Sequence, residues 1–93
     1  MSHGYLGADV SPDQRWIRVE FVDAKLGDAL TVDFEESVRL FGRFEIPLGR
    51  KREVMLVEDV SERTGEVYVS RGRLGTIARN LNEGLVVGVH PQG

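Results

Sequence analysis

The sequence predicts an all-β protein: a small antiparallel β-barrel, or a two-layer sandwich, of about seven short strands with at most one short helix. Three observations point there. Residues 30–46 alternate with a period of two: Leu30, Val32, Phe34, Val38, Leu40, Phe44 and Ile46 are apolar at even positions, whereas Phe41 alone is apolar at odd ones. That period places one face of a strand on a core and the other in water. Turn-forming clusters recur along the chain at roughly the 8–12-residue spacing of small β domains. The 93 residues are 41% hydrophobic and contain 11 Gly and no Cys, a composition that suits one soluble domain with a modest core and no disulfide staples.

The elements follow in order. Ser2-His3 reads as a remnant of cloning, so the first four residues carry no weight. Ser11-Pro12-Asp13 is a turn cluster. Arg15–Val22 alternates, with Ile17, Val19 and Phe21 on one side and Arg18 and Glu20 on the other. Asp23–Asp28, with Gly27, is the next turn. The 30–46 pattern is too long for one straight strand in a small domain, so it bends or turns at Glu35-Glu36-Ser37 or at Gly42. A short helix competes there, with Asp33 as N-cap, Glu36 three residues on and Gly42 past its end. The sustained alternation favours the strand.

Pro47–Arg52 reads as a turn with a basic tip. Val54-Met55-Leu56-Val57 is an apolar run without alternation, which suggests a strand covered on both faces. Ser61–Gly65 joins it to a strand at 66–70 as a hairpin. Arg71–Gly75 is a Gly-rich turn. Residues 76–81 read equally as strand or as a short helix closed by Gly84, and Leu85–His90 is a final strand stopped by Pro91.

Charge is unevenly distributed. The formal net charge is −3. Residues 1–38 hold three basic groups against eight acidic ones, and residues 39–79 hold nine against six. That asymmetry suits head-to-tail self-association, or a basic patch facing a partner. The lack of cysteine, of a signal-peptide pattern and of any long apolar run predicts a cytoplasmic protein with no membrane segment.

Chemistry-bearing constellations are sparse. The two histidines, His3 and His90, lie near the termini, and no serine or carboxylate set is spaced around them for catalysis or zinc. The sequence therefore predicts no enzyme, no metal and no cofactor. The leading reading is an assembly or adaptor module that works by protein contacts, as a homo-oligomer or with another protein. Trp16, Phe41, Met55 and Tyr68 are the candidate anchors, with Arg39 and Arg43 as polar partners, because aromatic groups flanked by arginine anchor interfaces. The alternative is nucleic-acid or phosphate-ligand binding through Arg50, Lys51 and Arg52 together with Arg71 and Arg73, since arginine gives bidentate anion contacts and glycine turns present backbone amides.

Two short resemblances accompany this reading. Val57-Glu58-Asp59-Val60 followed by Thr64-Gly65-Glu66-Val67 resembles the repeated hairpin of PRC-barrel domains. Gly4-Tyr5 with Leu26-Gly27-Asp28, and Leu81-Asn82-Glu83-Gly84-Leu85-Val86, are similar to the N-terminal β-barrel of rotary ATPases and HerA-type translocases. Each covers under a fifth of the chain. The second implies a subunit-contacting crown without catalytic residues of its own, and both imply a small barrel.

Overall fold

The computed structural model describes residues 2–40 and 44–92, with the backbone alone along 36–40, 44–48 and 50. The protein is all-β, with seven antiparallel strands and, among the described residues, no helix. They are β1 (Ser2–Leu6), β2 (Trp16–Ile17), β3 (Val19–Glu20), β4 (Ala29–Leu40), β5 (Phe44–Val60), β6 (Val67–Arg73) and β7 (Val86–His90). Their order in the sheet is β2-β6-β5-β4-β7-β1-β3.

The first and last strands of that order are consecutive in the chain. Trp16 and Ile17 pair with Tyr68 and Val67 of β6, whereas Val19 and Glu20 pair with Leu6 and Tyr5 of β1. A single segment therefore changes partner at Arg18 and bridges both edges, which rolls the sheet into a nearly closed barrel. Closure demands close approach. A Cβ added at Gly4 would lie 2.1 Å from the Glu20 carbonyl oxygen, so only glycine fits where β1 meets this segment. Three of the discounted N-terminal residues are thus structural: Ser2, His3 and Gly4 pair with Val89, Gly88 and Val87.

Alternation builds the core. Leu30 and Val32 of β4, Met55 and Val57 of β5, Val67 and Val69 of β6, and Val87 and Val89 of β7 point inward, with Leu6, Val10, Ile17 and Leu81 closing the ends. The run at 54–57 alternates after all. Met55 and Val57 are buried and Val54 and Leu56 only half-buried. Residues 76–80 form neither strand nor helix. They cross one end of the barrel, and Leu81 then bridges Val10 by two backbone hydrogen bonds of 2.8 Å.

Two strands are much longer than predicted. β4 and β5 run 12 and 17 residues and pair from Ala29↔Leu56 to Leu40↔Phe44. The turn expected at Gly42 lies outside the described residues, between the paired Leu40 and Phe44. The ladder shifts register between Glu36 and Ser37, which face Gly49 and Pro47. Pro47–Arg52 is therefore not a turn: Pro and Gly serve here as bulge residues of an edge strand.

Candidate protein interface

β7 pairs with β4 only as far as Val32, and β6 pairs with β5 only as far as Val54. Beyond those points residues 33–40 and 44–52 pair with each other alone among the described residues. Eight residues at about 3.3 Å each make an arm roughly 26 Å long. It accounts for the molecule's shape, 48 Å along its longest axis against 25 and 23 Å across.

Register sets the arm's residues in cross-strand pairs. Val38 pairs with Ile46, Leu40 with Phe44 and Arg39 with Glu45. Nearer the barrel, Asp33 faces Arg52, Glu35 faces Arg50 and Phe34 faces Lys51. Arg52 Nε donates to Asp33 Oδ1 at 2.7 Å, and this bond, with the aspartate charge, raises the arginine pKa further above its ordinary value. The Phe34 ring lies under the Arg79 guanidinium, 5.5 Å from its centre. A groove of about 540 Å³ follows the arm's base, lined by Asp33, Phe34, Glu35, Gly84, Leu85 and Val86.

Where the arm leaves the barrel, Val32 pairs with Glu53. Glu53 is fully buried, and its partner Arg71 has a side chain 4% exposed. Arg71 Nε and Nη2 donate to Glu53 Oε2 and Oε1 at 2.6 and 3.0 Å. Gly72 N–H and Arg79 N–H donate to the same two oxygens at 3.2 and 3.0 Å. The remaining arginine donors reach the carbonyls of Ser11, Gln14 and Arg79 at 2.6–2.8 Å. All five guanidinium N–H groups and two bonds at each carboxylate oxygen are thereby satisfied. The network ties β5 and β6 to the loops at 11–14 and 76–80 and fixes the arm's root.

The predicted site residues fall into separate places. Trp16 and Tyr68 meet edge to face as a cross-strand pair, ring centres 5.2 Å apart, with Trp16 40% exposed. Met55, expected at an interface, is fully buried in the core: its odd position in β5 places it on the barrel interior. Arg39 lies in the arm, while Phe41 and Arg43 lie outside the described residues. The basic set falls on two neighbouring strands, β5 and β6, with Arg73 paired to Val54. Arg50, Lys51 and Arg52 lie along a strand opposite Glu35, Phe34 and Asp33. Arg71 is committed to Glu53 and to backbone carbonyls, so it has no donor for a ligand. Arg73 is exposed at the end of β6 and donates to Ser70 Oγ at 3.3 Å.

Sequence reasoning missed Glu53. Its signal was parity, since Glu53 shares the odd positions of β5 with core residues Met55 and Val57. Exposed Phe21, at 84%, was also missed; it adopts a positive φ of 68° and packs edge to face on Tyr5 at 5.9 Å. Among the described residues no group of three or more His, Asp or Glu gathers as for a metal ion, and no helix is long and apolar enough to cross a membrane.

Comparison with protein-family models, curated proteins and solved structures finds no match to this chain. The barrel thus stands on the strand pairing itself, and the two short resemblances add nothing to it about activity.

Proposed function

We propose that the chain is a non-enzymatic assembly module that associates with further copies of itself, with the β4–β5 arm as its contact element. The observation that carries this reading is the two-stranded ladder of 33–40 with 44–52, which has no third strand among the described residues. An isolated two-stranded ribbon is at best marginally stable in water, and its open edges seek further pairing. Its register also pairs apolar residues near the tip, Val38 with Ile46 and Leu40 with Phe44. The Trp16–Tyr68 pair on the barrel wall provides a second apolar surface of the kind found at interfaces. Binding of nucleic acid by the basic residues has less support, because Arg71 is committed to Glu53 and to backbone carbonyls and Arg52 is paired with Asp33.

The test is solution mass by light scattering at low and high salt. Expected is a mass several times the 10.4 kDa of one chain. A variant whose residues 33–52 are replaced by a tight Asn-Gly turn between Val32 and Glu53 should have the mass of one chain while keeping the barrel's cooperative melt. A single-chain mass for the native protein at every concentration and salt overturns the reading.

A further inference from the structure

The arm's two strands carry opposite charge. Near its base, β4 holds Asp33, Glu35 and Glu36, and β5 holds Arg50, Lys51 and Arg52. Two rungs of the ladder, Asp33↔Arg52 and Glu35↔Arg50, therefore have the acid on one strand and the base on the other. One edge of the ribbon is acidic and the other basic.

Backbone directions follow from the ladder. Val54 N–H points away from β4, because it donates to Thr76 Oγ1 at 3.0 Å, whereas Val57 exchanges backbone bonds with Asp28 and Gly27 on the β4 side. Backbone groups alternate in direction along an antiparallel strand. Even residues 50 and 52 of β5 thus turn their N–H and C=O outward, and so do their partners, residues 33 and 35 of β4. The outward edges coincide with the charged rungs. On the β4 side, β7 ends at Val86, and the groove lined by Asp33, Phe34, Glu35, Gly84, Leu85 and Val86 continues its line.

We infer that copies join head to tail, with the basic β5 edge of one arm (residues 50–52) adding as an antiparallel strand to the acidic β4 edge (residues 33–36) of the next. The inference rests on the self-assembly reading above and specifies its interface. Charge selects this geometry. Side-by-side arms pointing the same way set β5 against β4 in the antiparallel sense, and each rung continues as an alternating row of acid and base. A two-fold pairing of β4 with β4, or of β5 with β5, sets like charges opposite one another, which is destabilising. Unlike edges make the contact heterologous, so it closes into a ring where the rotation allows and otherwise extends as a filament.

The test uses proline as an edge blocker. Glu35→Pro removes an outward N–H from the β4 edge, and Arg50→Pro removes one from the β5 edge, and neither N–H belongs to the ladder inside the arm. Each variant alone should have the mass of one chain by light scattering, with the barrel's melt retained. An equimolar mixture should show a mass of two chains, because one intact edge of each kind remains. Loss of assembly in one of the two variants while the other keeps the native mass would point to two-fold pairing and overturn the inference. Assembly of both variants at the native mass would overturn it while leaving association through another surface standing. A native protein that is a single chain throughout would overturn both this inference and the reading beneath it.

Discussion

Replacing Glu53 by glutamine is nearly isosteric, yet the structure predicts a large loss of stability. Each carboxylate oxygen accepts two hydrogen bonds, one from Arg71 and one from a backbone N–H. An amide group must point its NH2 at one of these donor pairs whichever way it is flipped. The variant therefore sets donor against donor at zero exposure and leaves the Arg71 charge buried without a counter-charge. Breaking a buried pair in this way costs about 3–5 kcal/mol. A domain of this length has roughly 5–14 kcal/mol in all, so the change removes a large share. With a urea slope of about 1–3 kcal/mol per M, the unfolding midpoint should fall by at least about 1 M. Arg52→Ala, which breaks the exposed ion pair with Asp33, should leave the midpoint where it is. Replacing Glu53 and Arg71 together by methionine should not restore stability, because the carbonyls of Ser11, Gln14 and Arg79 then lose their donors. A midpoint shift below about 0.3 M for Glu53→Gln, with an unchanged slope, would refute the reasoning.

Three further outcomes follow from the geometry. Gly4→Ala drives a Cβ into the Glu20 carbonyl and Val22, and should destabilise by about 1–3 kcal/mol in the same urea assay. Thr76→Val removes a hydroxyl that accepts from Val54 N–H at 3.0 Å and donates to the Arg73 carbonyl at 2.7 Å; a loss of about 1–2 kcal/mol is expected, read from thermal or urea unfolding. The Ser11 hydroxyl holds the Asp13 carboxyl below its ordinary pKa. A lowered folded-state value stabilises above the ordinary aspartate pKa of about 4 and is lost as pH falls through the lower value. Asp13→Asn should accordingly remove a small part of the acid limb of the stability–pH profile and leave its alkaline side unchanged.

Much of the barrel could be read from the sequence because its signal is local. Leu30, Val32 and Phe34 announce a strand by parity, and Ser61–Gly65 announces a hairpin by turn chemistry. Pro47 and Gly49 misled because the same residues that make turns also make bulges, and only the partner strand distinguishes the two. The fate of Arg71 was hidden for a different reason. Its counter-charge lies 18 residues away in the chain, and three of its acceptors are backbone carbonyls that leave no trace in residue type. The arm's length was half visible: the alternation ran on past the barrel's width, but nothing local marked where β6 and β7 stop accompanying it. The charge asymmetry along the chain was plain, and only register resolved it into two oppositely charged edges.

Residues 16–20 are one short segment with two partners. A zip fastened on both tracks by one slider behaves differently from a barrel with separate edge strands. If this segment lifts, β1 and β6 lose their cover together, so the least costly opening of the fold exposes two edges at once. Hydrogen exchange at the amides of 16–20 should then proceed through a single local event and run faster than at Leu30 or Val69. The same event makes the segment the natural hinge for any domain exchange between two copies.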